Sequence, residues 1–311
     1  MGMTTTQLNM IRALAENKLS DAKKYAIACC AEDTTQKNEY YTKKYKTMLE
    51  SSPTAMELPF NIKGTAQMED VSISFREDRY YLSKREEELF NKISKMNEAS
   101  LKLMEMGIPY LNAILLTGVS GTGKTTFGKY VAYKLGLPFL YINFSYLIDS
   151  LMGKTSQNLR AVFDFAKANK CLLMLDEIDC IAGKRKGATS GSEKELNNTT
   201  ISLLQELDQV RNDSIIIGAT NIPEMIDPAV MRRFPIQHEV QVLSKDEITE
   251  MIIQYLSTVE LSFDENDITN FVENRQAYIN TDVQAVVLNY VISKIAETVI
   301  ENKEYIKLGG I

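Results

Sequence analysis

Apolar residues in the middle of the chain come in short unbroken runs rather than in helical stripes. Ala113 to Thr117, Phe139 to Ile142, Cys171 to Leu175, Ile215 to Ile217 and Val240 to Leu243 are such runs, separated by stretches with the spacing of amphipathic helices. A strand buried on both faces has no polar side to alternate with. The rhythm therefore predicts an α/β fold, a parallel sheet with helices over both faces. Ahead of it, Ser83 and Glu86 stand at capping-box spacing before a long helix through Met106, and Gly107 and Pro109 break the chain before the first core strand.

The flanks are patterned differently. The first fifty residues carry three short helical stripes: Leu8, Ile11, Leu14 and Ala15; Ala22, Tyr25, Ala26, Cys29 and Cys30; Tyr41, Tyr45, Met48 and Leu49. Ser20 and Thr34 or Thr35 are their cap candidates. Residues 51–67, with two prolines and one glycine, read as a linker. After Ser244 the spacing is helical, its longest stripe formed by Val283, Val286, Val287, Tyr290, Val291 and Ile295. The expected organisation is a helical docking module over residues 1–51, a linker over 52–72, a large α/β domain over 73–243 and a helical lid over 244–311.

Composition narrows the class. A chain of 311 residues with 44% hydrophobic content can fill a core. No run approaches a membrane span, and the start MGMTTTQLNMIRALAENK lacks the apolar centre of a signal peptide, so the expectation is a cytoplasmic protein with no membrane role. Met1, Gly2 and Thr6 fit the short myristoylation pattern, one that chance often produces. Four cysteines without a C-x-x-C pair, and His238 as the single histidine, exclude zinc-finger spacing and histidine triads. A net charge of −6 argues against a protein that coats nucleic acid, though not against a local basic channel. The cluster YYTKKYK, residues 40 to 46, sits among eight basic and six acidic residues within 1–50, a balance that suits a solvated face over a docking module better than a nucleic-acid patch.

Chemistry concentrates between residues 118 and 233. GVSGTGKTT, from Gly118 to Thr126, follows a strand run and precedes a helical one, as G-x-x-x-x-G-K-[ST] requires. Gly118, Ser120, Gly121, Thr122, Gly123, Lys124, Thr125 and Thr126 are the candidate phosphate-binding residues. Glycines let successive N–H groups face the phosphates of ATP, Lys124 neutralises the β and γ oxygens, and the Thr125 hydroxyl is placed on Mg²⁺. The other reading is a glycine-rich turn with an unrelated lysine. About fifty residues on, CLLMLDEID runs into Asp176 and Glu177. A carboxylate at a strand's C-terminal end lies beside the phosphate loop in such a sheet, so Asp176 can serve Mg²⁺ and Glu177 can accept a proton from the attacking water. An acidic strand-end surface is the alternative. SIIIGATN ends a third strand at Asn221, which can position that water or read the γ-phosphate, or simply form a turn.

In that order, these pieces resemble the AAA ATPases over roughly residues 70 to 300. GVSGTGKTT looks like their Walker A, LLMLDEID like Walker B, and GATNIPEMIDPAVMRRF like the second region of homology, with Asn221 matching sensor 1. The resemblance implies that Arg232 and Arg233 are fingers supplied to a neighbouring subunit's ATP, hence catalytic alongside Lys124, Glu177 and Asn221. A head-to-tail contact of that kind must either close into a ring or make a filament, and the family expectation is a hexamer. The alternative is a surface pair bonded to Asp227 or Glu239. Leu151, Met152 and Gly153 stand where the family has an aromatic pore loop, so a threading contact departs from the pattern or is a core-facing pair. Gly183 to Glu195 reads as a second loop, with Lys184, Arg185 and Lys186 either near the pore or solvated. Asn280 and Thr281 replace a Gly-Ala element before Asp282, which leaves the adenine contact open. The three-helix start further resembles small bacterial or phage-type AAA proteins, some of which accompany a protease partner.

Three functions compete at this point: a ring that remodels or unfolds a protein client, a nucleic-acid motor or loader using the lysine-rich loops, and an ATP-gated assembly scaffold. A GTPase lacks its N-K-x-D signature here, and neither it nor a small-molecule kinase explains AVMRRF.

Overall fold

The computed structural model describes residues 2–15, 19–33, 35, 37–51, 58–59, 62, 64–108, 110–144, 155–182, 191–210, 214–274, 279 and 283–309. Six strands make one sheet: β1 (Gln67–Glu69), β2 (Asn112–Thr117), β3 (Phe139–Asn143), β4 (Leu172–Asp176), β5 (Ile215–Thr220) and β6 (Ile236–Glu239). Their order is β1-β3-β4-β5-β2-β6, and every pairing is parallel except that of β1 with β3. β2 and β5 run in register from Asn112 opposite Ile215 to Thr117 opposite Thr220, and Asn143 on β3 lies opposite Asp176 on β4. The carboxyl ends of the central strands are therefore level, the place where such sheets bind ligands.

Twelve helices are described. The first five are α1 (Thr5–Ala15), α2 (Leu19–Glu32), α3 (Glu39–Ser51), α4 (Val71–Ser74) and α5 (Lys84–Glu105). Between the strands lie α6 (Lys124–Leu135), α7 (Thr155–Asn169), α8 (Gly191–Gln209) and the short α9 (Pro228–Met231), and after them α10 (Lys245–Leu256), α11 (Glu265–Asn274) and α12 (Gln284–Ile300). Side chains on a strand alternate between faces, so one sheet serves two cores. Ile114, Leu116, Met174 and Ile217 meet Phe127, Tyr130 and Val131 of α6, while Leu115, Leu173, Leu175 and Ile216 meet Leu159 and Phe163 of α7 and Leu203 and Leu207 of α8. A third core, centred on Ile252, Phe271, Val287 and Val291, joins α10, α11 and α12.

The interior strands follow the apolar runs because both their faces are covered; all six residues of β5 are buried. The two edges do not follow them. The last strand is Ile236–Glu239, not Val240 to Leu243: it begins directly after Pro235 and its burial alternates, as an edge strand with one wet face must. β1 lies inside the stretch 52–72 read as linker and α4 crosses its end, and elements of three or four residues are too short to give a periodic signal. Ser83 does cap α5, accepting a bond from the Glu86 amide at 3.4 Å. The Glu86 carboxylate, however, turns to His238 Nε2 at 3.2 Å instead of completing the box. A complete capping box stands at Ser244 and Glu247, where sequence reading marked only a helix start.

The first three helices form where the stripes predict them, and in α2 the stripe residue Ala22 is buried. α1 buries Ala13 and leaves Leu8, Ile11 and Leu14 exposed; α3 exposes Tyr41 and Tyr45, stacked with ring centroids 6.2 Å apart. α2 starts at Leu19, so Ser20 lies inside its first turn, and α3 starts at Glu39, beyond Thr34 and Thr35. Among the described residues no helix is long and apolar enough to cross a membrane.

Candidate active site

The loop from Gly118 to Gly123 joins β2 to α6, and Lys124, Thr125 and Thr126 form the first turn of that helix. Gly118 has φ 138°, a conformation closed to side chains, and a Cβ there would stand 2.3 Å from the Val240 carbonyl oxygen. Gly121 matters for another reason. Its carbonyl accepts a bond from the Ala285 amide at 3.3 Å, and a Cβ would come within 2.6 Å of Val283 Cγ1, so the absent side chain lets the start of α12 rest on the loop. Ser120 is exposed at the loop tip, and Thr122 is buried with its hydroxyl on the Val119 carbonyl at 3.0 Å. Gly118→Ala combines backbone strain with overpacking, and we expect a loss of stability on the order of 2–6 kcal/mol. Thermal or urea unfolding of the variant checks this.

Lys124 is 7% exposed. Its Nζ donates to the Gly118 and Val119 carbonyls at 2.8 and 2.9 Å and to Asn221 Oδ1 at 2.7 Å. Burial pushes its ammonium below the usual lysine value, while Asp176 and Asp179 pull the other way. Two of the sequence candidates, a loop lysine and an amide ninety-seven residues away, are thus in direct contact. Asn221 follows β5, whose last residue, Thr220, donates to Asp179 Oδ1 at 2.6 Å and accepts from the Ile222 amide at 3.0 Å. Those bonds fix the strand tip on which Asn221 stands.

Asp176 ends β4 in register with Asn143. Its Oδ2 accepts from the Thr125 hydroxyl at 2.7 Å and from the Tyr141 hydroxyl at 3.2 Å, and its Oδ1 from the Glu177 amide at 3.0 Å. Burial, together with the charges of Asp176 and Glu177, pushes the Tyr141 phenol up to about 12, against a bond from Asn143 that lowers it. It is a donor at neutral pH. Glu177 itself has a left-handed backbone, φ 55° and ψ 42°.

This donor set fits Mg²⁺. The Thr125 hydrogen is committed to Asp176, which leaves the hydroxyl's lone pairs for a cation, and hard oxygen ligands are what magnesium takes. Among the described residues no group of three or more His, Cys, Asp or Glu gathers as a metal cluster, as expected where phosphates and water supply most ligands. Cys171 is buried, and that burial pushes its thiol up to about 12, the state of an inert core cysteine.

Beside the loop opens a cavity of about 310 Å³, lined by Phe75, Tyr80, Val240, Leu243, Met251 and Leu288 together with the loop residues Gly121 to Gly123 and Thr126. Its size and apolar walls suit a nucleotide base next to the phosphate loop. Sequence reading left this contact open. The available signal was the aromatic residues of SISFREDRYY, which have no strand or helix period of their own. Asn280, Thr281 and Asp282 lie outside the described residues, but Gln284, just after them, donates from Nε2 to the carbonyls of Thr122 at 3.0 Å and Gln241 at 3.3 Å.

Arg232 and Arg233 follow α9 and keep other company. Arg232 Nε donates to the Pro228 carbonyl at 3.2 Å. Arg233 forms a two-pronged bond with Asp208 of α8, Nε to Oδ1 and Nη2 to Oδ2, both at 3.0 Å, and also donates to the Ala229 carbonyl. The acid is neither Asp227, which caps α9 by accepting from the Ala229 amide at 2.7 Å, nor Glu239. Phe234 is fully buried against Gly218 of β5, where a Cβ would meet its ring at 3.0 Å. That aromatic anchor ties the backbone next to Arg233 to the sheet. The expected loops at Leu151 to Gly153 and Gly183 to Ser190 lie outside the described residues; the rest of the second segment, Gly191 to Glu195, is the start of α8.

Residues 114–242 match the family model described as "ATPase family associated with various cellular activities (AAA)". With the fold and the phosphate loop above, this makes the domain an AAA ATPase domain. Among curated proteins the chain is 30% identical over 223 residues to the proteasome-activating nucleotidase of Methanococcus maripaludis strain C7, covering 70% of this chain and 54% of that protein. It is 32% identical over 186 residues to a 26S proteasome regulatory subunit 4 homolog of Encephalitozoon cuniculi, 58% of this chain and 44% of that one. To the ATP-dependent zinc metalloprotease FtsH 1 of Thermoanaerobacter sp. strain X514 it is 35% identical over 150 residues, 47% and 24% respectively. The chain spans about half the length of the first of these relatives, and less of the others.

Proposed function

We propose that this chain hydrolyses ATP with Mg²⁺ in a ring of identical subunits, a hexamer by family expectation, and uses the energy to remodel or unfold a protein client. In this reading Gly118 to Thr126 cradle the phosphates, Lys124 neutralises them, Thr125 and Asp176 hold the cation, Glu177 takes the proton of the attacking water and Asn221 positions that water. Arg232 and Arg233 act on the neighbour's nucleotide. The bound cation supplies charge neutralisation at the β and γ oxygens.

The observation that carries the shared site is the company of the arginines. Within one subunit they bond to Pro228, Ala229 and Asp208, none of which belongs to the cluster of Lys124, Asn221, Thr125 and Asp176. Arg232 is exposed and Arg233 is held outside that cluster, so both can serve a second copy, and a head-to-tail contact either closes into a ring or makes a filament.

A protein client is supported by the names of the relatives, a proteasome-activating nucleotidase, a proteasome regulatory subunit and a metalloprotease. A protease partner, a cytoplasmic setting, a docking role for residues 1–51 with the linker to 72, and a lid role for residues 244–311 belong to the same proposal. The test is stimulation of ATP turnover. An unfolded polypeptide should raise the rate and single-stranded DNA should not. Stimulation by DNA alone, abolished by neutralising Lys184, Arg185 and Lys186, would replace the remodelling role with the nucleic-acid one.

A further inference from the structure

The Asp176 carboxylate is served by more than the phosphate loop. Tyr141, on the neighbouring strand β3, donates to the same Oδ2 that Thr125 uses, and Asn143 Nδ2 donates to the Tyr141 hydroxyl at 3.3 Å. Tyr141 and Asn143 are two apart on one strand and so share a face, the face on which Asp176 lies opposite Asn143. The result is a relay, Asn143 to Tyr141 to Asp176, parallel to the sheet and independent of the loop. The Tyr141 ring is held by Phe139, centroids 6.3 Å apart and planes 22° apart.

We propose that Tyr141 is a positioning residue for the metal site, fixing the rotation of the Asp176 carboxylate so that one oxygen remains aimed at the cation's water shell. An ionised carboxylate offers about four lone-pair directions. Thr125 and Tyr141 take two on Oδ2, and the Glu177 amide takes one on Oδ1. One direction on Oδ1 is left for a metal-bound water. Without Tyr141 the carboxylate would keep one donor on each oxygen, the Thr125 hydroxyl and the Glu177 amide; the second donor on Oδ2 fills that oxygen and narrows the rotation about the Cβ–Cγ axis that those two bonds allow. Outer-shell partners of this kind typically carry 10- to 100-fold of metal affinity.

This inference rests on Thr125 and Asp176 being the magnesium site. The experiment is Mn²⁺ binding to the protein–ADP complex, followed by electron paramagnetic resonance, for the unmodified chain, Tyr141→Phe and Asp176→Asn. Phenylalanine keeps the ring against Phe139, and thermal unfolding of both variants controls for folding. The expected result is that Tyr141→Phe raises the Mn²⁺ dissociation constant roughly tenfold while ADP affinity without metal stays within about twofold. A role in packing alone would move the melting temperature and leave the Mn²⁺ constant where it was, which overturns the proposal. If Asp176→Asn weakens Mn²⁺ and Tyr141→Phe does not, the metal site stands and the tyrosine's role falls. If neither weakens it, the cation is held elsewhere and both readings fall.

Discussion

Replacing Arg233 by alanine should lower ATP turnover per subunit by roughly 10³ to 10⁵, the range over which an inserted arginine stabilises charge on the transferring phosphoryl group. Loss of fold cannot account for such a drop. The Arg233 and Asp208 side chains are 30% and 55% exposed, and an ion pair that wet is worth about 1 kcal/mol or less. Ring size, followed by light scattering, should therefore persist. Mixing separates a shared site from a private one. Arg233→Ala subunits retain a working phosphate loop and Lys124→Ala subunits retain a working finger, so mixed rings should recover hydrolysis at the interfaces that combine the two. If Arg233→Ala rings turned over at the unmodified rate, the arginine would have no part in hydrolysis; if turnover fell and mixed rings recovered nothing, it would act within its own subunit.

Glu177→Gln should reduce turnover by about 10² to 10⁴, the contribution of a general base, while ATP binding is retained. The substitution is nearly isosteric, and the bond from the 177 amide to Asp176 Oδ1 is a backbone bond that any side chain leaves in place. Nucleotide affinity measured by titration should consequently change little. Because hydrolysis is blocked with nucleotide bound, the same variant should retain its client in a pull-down made with ATP. It also separates the motor from the scaffold: an assembly signal survives when the ring is trapped with ATP, whereas mechanical work stops. Turnover within twofold of the unmodified protein would remove Glu177 from the chemistry.

How much of this was legible beforehand depends on what each element must satisfy. Strands β2 to β5 are covered on both faces, so burial wrote their positions directly into unbroken apolar runs. β6 and β1 sit at the edges, where one face is wet or the pairing is only three residues long, and neither leaves such a run. The loop from Gly118 to Gly123 was legible as a loop between a strand and a helix because its residue types are dictated locally, Gly118 and Gly121 by backbone angle and close approach. Contacts between distant segments were not. Nothing in YIN announces that Tyr141 reaches Asp176, and nothing in QELDQ announces that Asp208 meets Arg233; both follow from which strands and helices become neighbours. The apolar stripe of α1 marks a helix without saying what covers it: Leu8, Ile11 and Leu14 are exposed, and Ala13, outside the stripe, is the buried position.

The left-handed turn at Glu177 has a consequence for engineering. Glutamate is a poor occupant of that conformation, disfavoured by about 1 kcal/mol or more, whereas asparagine enters it readily. Glu177→Asn should make the chain slightly more resistant to heat and at the same time nearly inert toward ATP, so a melting curve and a phosphate-release assay would move in opposite directions. The strain then sits at the very residue proposed to take the proton, and a screen that selected only for durability would erode this corner first.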